Sequence, residues 1–369
     1  MRPIGIVSIL REQTPAPDRS FNFLMAAAGN NTGNLLFTHA VWEHLPGPKE
    51  RIGFQFDPDK VNATCRAVVF PAANWFGAHV DLADFADRVE RLDVPVTMIG
   101  LGAQDHDFTG KVDVPEGTLR FVRAVAERSR SISVRGTYTR DILARHGFRD
   151  VTVTGCPSLY QPLQPDAERR LLENAKSTLG PTLLHSTRFS ARYRAFVDTP
   201  SIHLDLYRYA YRTRSDLLFQ SELEEISLLV EAAKKPDIDD ALIATLLDLY
   251  GAASWEELQA YLHNSARVFF DIPAWTQAMT GYGRAYGTRL HATIMALNSG
   301  VPALLVHHDS RTREVCEFAD LPSLKASRAA LDEDAISKSI TRADFGKFLK
   351  TRGRNQETYR AFLADNGLL

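Results

Sequence analysis

An arginine and a histidine at the start of a helix can hold an anion and deliver a proton beside it. The segment Tyr286-Gly287-Thr288-Arg289-Leu290-His291-Ala292 offers both. Gly281 and Gly283 predict a tight loop before it, while Ile294 and Leu297 predict a helix beginning near Arg289. Such a helix aims unpaired N–H groups and the positive end of its dipole at whatever Arg289 and His291 hold, which suits phosphate or carboxylate. The alternation predicts Leu290 in the core, with Arg289 and His291 flanking it. A surface helix start bearing an Arg and a His fits the same residues. Arg135 follows the run Ser131-Ile132-Ser133-Val134, at the carboxyl edge of a predicted strand, where open α/β sheets bind ligands. Its guanidinium can grip an anion bidentately, or pair with a nearby acid such as Asp141.

Other candidates are more ambiguous. Arg188, Arg192, Arg194, Arg208, Arg212 and Arg214 share a segment with Tyr193, Tyr207, Tyr209 and Tyr211. Tyrosine rings could stack on sugars and the arginines could meet a lipid-linked diphosphate at a membrane surface; a solvated loop over a cleft fits equally. Adjacent residues on a strand point to opposite faces, so His307 and His308 of His307-His308-Asp309 should not share a metal ion. Cys65, Cys156 and Cys316 are far apart and form no CxxC pair, which argues against zinc and against a disulfide framework, and favours a reducing compartment. Cys156 reads as a small apolar core residue rather than a reactive thiolate.

The elements that would position these groups alternate short apolar runs with amphipathic stretches, the pattern of parallel sheets wrapped by helices. In the first half, strands are expected at 4–10, 67–70, 96–99, 131–134 and 151–154, and helices at 80–92, 119–129 and 137–146. Pro162 and Pro165 make 160–177 the expected linker. Beyond it, strands are expected at 182–185, 216–219, 268–271 and 301–307, and helices at 222–233, 290–298 and 345–363. This predicts an α/β chain of two Rossmann-like, doubly wound domains facing a central cleft: 1–165, 178–330, and a helical segment 331–369 that could cross back. The 369 residues suit two domains. The 43 Lys and Arg against 45 Asp and Glu give a net charge of -2, without the basic excess of a nucleic-acid binder. The first ten residues read as a buried strand rather than a signal peptide, and no run approaches the ~20 apolar residues of a membrane span, so a cytoplasmic location is expected.

Several motifs in register resemble the polysaccharide pyruvyltransferase family. They are Asn31-Thr32-Gly33-Asn34, Gly100-Leu101-Gly102-Ala103-Gln104, SVRGTYTRDIL at 133–143, GCPS at 155–158, GTRLHATIMALNSGVPAL at 287–304, and Asp309-Ser310-Arg311. The resemblance runs from about residue 1 to about residue 320. It implies a fold similar to the GT-B glycosyltransferases, with the acceptor on the N-terminal side and the donor on the C-terminal side. It also implies transfer of a pyruvyl group from phosphoenolpyruvate, a co-substrate rather than a cofactor, onto two sugar hydroxyls as a ketal.

By that resemblance Arg135, Arg289 and His291 would bind the donor, and Asn31, Asn34 and Gln104 would lie on the acceptor side; Arg311 is a further donor-binding candidate, since Arg311 and Arg313 could reach the phosphate or simply decorate a helix start. His291 would be the general acid, because imidazole titrates close to working pH. Many members place an Asp where this chain has Asn34, and asparagine cannot take a proton. Asp105 and His106 stand in as candidate bases. The acceptor would be a polysaccharide unit such as an exopolysaccharide repeat, or a lipid-linked oligosaccharide met at the inner face of the membrane. Two rivals remain: a GT-B glycosyltransferase using a nucleotide sugar, with Glu314 as the ribose-binding carboxylate, and a catalytically idle sugar-binding relative. The absence of a GxGxxG loop after the first strand counts against the former.

Overall fold

The computed structural model describes residues 2–10, 19–105, 110–177, 180–188, 201–231, 238–329 and 331–369. The first parallel sheet contains β1 (Ile4–Val7), β2 (Lys49–Ile52), β3 (Ala67–Pro71) and β4 (Val96–Ile99), ordered β2-β1-β3-β4. A parallel pair, β5 (Ile132–Val134) and β6 (Val151–Val153), continues it through a bridge between Leu101 and Val134. The second sheet holds β7 (Thr182–His185), β8 (Asp216–Leu218), β9 (Ala266–Arg267), β10 (Arg284–Gly287), β11 (Ala303–His307) and β12 (Ser323–Lys325). Its order is β12-β11-β10-β7-β8-β9 and every pairing is parallel. Counted from its own first strand, the second sheet has the dinucleotide-fold order 3-2-1-4-5-6 read backwards, and the first has the 2-1-3-4 start of a flavodoxin-like sheet. The fold is therefore α/β, two Rossmann-like units facing one another in a GT-B-like arrangement.

Apolar runs buried on both faces produce the central strands: β1, β3 and β4 have no exposed residue. Four strands, β2, β9, β10 and β12, escaped the pattern reading, and two of them show why. β2 (KERI) is an edge strand, and its charges face solvent. β10 (RAYG) is central yet has no apolar run, because its buried Arg284 is accommodated by Thr182, Ser337 and Glu333. Residues 268–271, expected as a strand, instead lead into the helix Ile272–Met279, where Asp271 accepts from Ala274 N–H as N-cap.

Residues 160–177 are not an open linker. They hold the helix Ala167–Asn174, which buries Ala167 and Leu171. The helix Phe345–Asp365 lies against it. Beyond that helix the chain touches the first unit: Arg66 Nη1 donates to Gly367 O at 3.0 Å, and Arg130 N–H to Asn366 Oδ1 at 3.0 Å. One apolar core runs from β1 through the helix Asn34–His44 into the second sheet, so the units are fused along one face.

Candidate functional site

In doubly wound sheets the ligand crevice opens where the strand order reverses, beyond the carboxyl ends. That point falls between β1 and β3 in the first sheet and between β7 and β10 in the second. A cavity of about 130 Å3 lies between the two and takes lining residues from both units. Ala73 and Asn74 follow β3, Arg135 follows β5, Thr187 follows β7, Gln220 follows β8, Thr288 and Arg289 follow β10, and His308 follows β11.

Arg135 is buried and extended across the ends of the first sheet. Its Nε donates to Gly100 O at 2.9 Å, Nη2 to Ala72 O at 3.3 Å and Nη1 to Asn74 Oδ1 at 3.2 Å, over the face of Phe37. No carboxylate among the described residues stands within ion-pair distance of it; Asp141 pairs with the exposed Arg140 instead. A buried guanidinium held only by neutral groups is costly unless an anion completes it.

Arg289 is differently placed. Arg289, Leu290 and His291 all border the cavity; Arg289 is buried, while Leu290 is part-buried and packs against the core. Arg289 Nε donates to Ser186 O at 2.6 Å, and its Nη2 bonds Arg188 O, Ser221 Oγ and the carboxylate of the fully buried Glu222. Arg311 also borders the cavity, but Nε donates to Asp309 Oδ2 at 2.6 Å and Nη2 pairs with the same carboxylate. Glu222 and Asp309 thus match two of the three arginines, and the positive charge left over is that of Arg135. The cavity also meets two helix starts without a side-chain cap, Asn34–His44 and Leu290–Asn298.

His291 forms part of the cavity wall, its ring 5.5 Å from that of Phe37 and its Nε2 3.7 Å from Cys156 Sγ. Burial, then the charges of Arg135 and Arg289, push its imidazole down to about 3. The expectation of a group titrating near neutrality is therefore corrected: without an anion between the two guanidiniums, this imidazole is neutral. Cys156 contributes more than apolar bulk, since its thiol bonds Ser158 Oγ at 3.0 Å as well as touching His291.

Asn31 and Asn34 both border the cavity. Asn31 Oδ1 accepts from Gly33 N–H at 2.9 Å. Asn34 Nδ2 donates to Ala28 O at 3.2 Å and Gly29 O at 3.3 Å, which an acceptor-only aspartate could not do. Gln104 does not border the cavity; its N–H bonds Phe76 O at 3.0 Å. Asp105 is corrected as a base: its buried carboxylate accepts from Tyr138 O–H and from Gly110 N–H at 2.8 Å, and it is not among the residues that border the cavity. His106 lies outside the described residues. Arg313 pairs with Glu317 in an exposed position.

Among the cavity residues, Gln220 and Asn74 were not singled out from sequence, and His308 was weighed there only against a metal. Gln220 is 1% exposed, and its Nε2 finds no partner. Asn74 orients Arg135. His308 borders the cavity in a T-shaped contact with His203 at 4.5 Å, and burial lowers its pKa. Position after a strand was the available signal for all three; none carries a distinctive motif. His307 lines a separate cavity behind the sheet.

The Arg/Tyr-rich stretch is not a sugar platform where it is described. The helix Ile202–Thr213 buries Tyr207, Tyr209 and Tyr211, and Arg188 is sealed against Glu224 and Glu225. Arg212 and Arg214 lie over Tyr209 and Tyr211. Arg208 bonds Asp248 O at 3.2 Å, while Arg192, Tyr193 and Arg194 lie outside the described residues. Glu314 is no ribose ligand: its buried carboxylate accepts from Thr139 N–H at 3.0 Å and Thr139 Oγ1 at 2.7 Å.

A family model described as polysaccharide pyruvyl transferase matches residues 31–310, which include Arg135, Gln220, Arg289, His291 and His308. The chain belongs to that family. A search of curated proteins found no match. Among solved structures, the UDP-GlcNAc 2-epimerase of Methanocaldococcus jannaschii is similar with a TM-score of 0.47 at 12% identity, covering 98% of this chain and 100% of that one. The UDP-N-acetylglucosamine 2-epimerase of Rickettsia bellii gives 0.42 at 11%, covering 95% and 80%. An uncharacterized protein of Klebsiella pneumoniae gives 0.41 at 9%, covering 88% and 94%. As a polysaccharide pyruvyl transferase the chain is a transferase of glycan biosynthesis, and among its described residues no helix is long and apolar enough to cross a membrane.

Proposed function

We propose that this pyruvyl transferase takes its pyruvyl group from phosphoenolpyruvate and places it on two hydroxyls of a sugar acceptor as a ketal. The observation that carries the reading is Arg135, a buried cation with no carboxylate within ion-pair distance among the described residues, facing a small cavity that Arg289 and Arg311 also line. Drug-sized ligands occupy roughly 300–1,000 Å3. A cavity of about 130 Å3 suits a compact three-carbon phosphate better than a nucleotide sugar. The rival glycosyltransferase reading also loses its carboxylate, because Glu314 is committed to Thr139. An asparagine at position 34 does not by itself make the chain an idle relative, because its Nδ2 donates to Ala28 O and Gly29 O.

In this reading the donor's phosphate and carboxylate are shared between Arg135, Arg289 and the uncapped start of the helix Leu290–Asn298. Their negative charge offsets the two guanidiniums that, after burial, hold His291 neutral, so the imidazole gains a proton as the donor binds. His291 then protonates the methylene carbon, leaving an oxocarbenium-like centre at C2. One acceptor hydroxyl adds there, phosphate leaves, and the second hydroxyl closes the ketal. Two hydroxyl protons are released; one balances the proton given to carbon and the other leaves with phosphate. His308, neutral and on the cavity wall, takes the role of base that Asp105 cannot fill.

The test is a thermal-shift titration with phosphoenolpyruvate beside inorganic phosphate and UDP-, GDP- and CMP-linked sugars. At about a hundred times its dissociation constant a ligand stabilises by about 2.7 kcal/mol, a shift of a few degrees. Stabilisation by phosphoenolpyruvate beyond that by phosphate, abolished in Arg135→Met, is the expected result. Stabilisation by a nucleotide sugar instead would overturn the donor assignment.

A further inference from the structure

A second cavity, of about 170 Å3, adjoins the first and shares Asn34, Phe37 and Ala73 with it. It lies beyond the carboxyl ends of β1 and β3, on the first unit's side of the cleft. Val7, Ser8, Ile9 and Pro71 contribute strand-end residues to it, and Thr38 and Asn34 come from the helix Asn34–His44. Phe54 and Trp75 border it as well. Phe54 is 38% exposed and Trp75 is part-buried, so both rings keep accessible surface.

The two rings are held from behind. Phe85 lies 5.9 Å from Phe54 and 6.1 Å from Trp75, and Phe121 lies 6.4 Å from Trp75. Phe85 and Phe121 are themselves 5.5 Å apart, and each contacts the fully buried Phe70. The exposed rings therefore stand on a rigid aromatic cluster, and a ligand stacked on them costs little ordering entropy. The polar lining is neutral: Ser8, Asn34 and Thr38. A site with aromatic rings, hydroxyl and amide groups and no charge is matched to a neutral, hydroxyl-bearing ring with an apolar C–H face, and it excludes an anion.

We infer that this cavity is the acceptor subsite and takes a neutral pyranose, stacked on Trp75 and Phe54, with its reacting hydroxyls turned toward Asn34 and Phe37. The inference rests on the donor reading above, since the wall shared with the Arg135 cavity is what puts acceptor oxygens beside the donor. It identifies the group recognised as the sugar ring itself, so a charged lipid-linked diphosphate, if the acceptor has one, sits outside.

The experiment is saturation-transfer difference NMR on the whole chain with phosphoenolpyruvate present, using methyl glycosides of galactose, glucose and mannose as probes. Saturation on the ring C–H protons of at least one glycoside is expected. It should fall about tenfold in Trp75→Ala and in Phe54→Ala and persist in Trp75→Phe, while the thermal shift with phosphoenolpyruvate stays at the wild-type value in all three. Because Phe54 is already exposed, its variant keeps the test decisive if Trp75→Ala unfolds. Absence of saturation from every glycoside in the wild type, or unchanged saturation in Phe54→Ala, would overturn the proposal. Glycoside saturation retained without any phosphoenolpyruvate shift would leave the sugar platform standing and remove the donor reading instead.

Discussion

Arg135 and Arg289 were expected to act alike, and their surroundings separate them. Arg289 is paired with Glu222, whereas the hydrogen bonds of Arg135 go only to two carbonyls and an amide. Arg135→Lys keeps the charge but cannot both hold Gly100 O and Ala72 O and face the cavity, so phosphoenolpyruvate affinity should drop about tenfold or more. Equal affinity by calorimetry would mean that a point charge suffices. Gln220 supplies a neutral donor to the same cavity: Gln220→Leu should raise KM for phosphoenolpyruvate several-fold, with kcat little changed, and steady-state kinetics separates the two. His291 gives a signed prediction. Its folded-state pKa of about 3 lies below the ordinary 6.5 because of burial and the two arginines. A bound anion raises it again, so donor binding takes up protons. Calorimetry in buffers of different ionisation enthalpy should show more proton uptake by the wild type than by His291→Gln near neutral pH. Identical uptake would remove His291 from the proton path.

At the scale of elements, the loop after β8 is organised by one side chain. Glu222 Oε2 accepts from Gln220 N–H at 2.7 Å and Ser221 N–H at 3.1 Å, while Oε1 accepts from Arg188 N–H at 3.1 Å, Tyr207 O–H at 3.2 Å and Arg289. Glu222→Gln leaves the buried Arg289 charge unmatched, and removing one partner of a buried pair costs about 3–5 kcal/mol. Urea unfolding should show a loss of that order; a midpoint within error of the wild type would mean that water reaches this network. Elements built on periodic apolar spacing were legible from residues alone: β4, β7 and the helix Leu290–Asn298 fall at the expected bounds. Hidden elements owe their stability to partners distant in sequence. β10 is central because Glu333 and Ser337, some fifty residues later, accommodate Arg284. The same logic divides the site. Arg135, Arg289 and His291 carry charge and motif and could be read; Gln220 and His308 matter only because strand order brings β8 and β11 to the cleft. Asp105 misled because its neighbours Tyr138 and Gly110 were invisible.

At the scale of the molecule, the two units meet through a carboxyl group that titrates in the physiological range. Glu314, on the second unit's helix Ser310–Ala319, caps the first unit's helix Thr137–Arg145 at Thr139, in place of a side chain from that helix itself. Gly136 makes room for it, since a Cβ there would stand 2.7 Å from Glu314 Oε2. Burial pushes this carboxyl up from 4.5 to about 7, although the Thr139 bonds and Arg135 oppose the shift. The native state therefore binds a proton more readily than the unfolded chain. That stabilisation is fully present below pH 4.5 and is lost as pH rises through about 7. One pKa unit is worth about 1.4 kcal/mol, so the whole effect is on the order of 3 kcal/mol. Other groups oppose it: His44 is lowered to about 4, and His185 and His203 to about 3, so each favours the native state as pH rises through its window up to 6.5. Glu314→Gln isolates the carboxyl, because glutamine accepts from Thr139 N–H and donates to Thr139 Oγ1 without ionising. Between pH 4.5 and pH 7, the Tm of Glu314→Gln should gain on that of the wild type steadily as pH rises. Two parallel Tm curves would show that Glu314 ionises in the folded protein as it does in water, and that the junction between the units admits solvent.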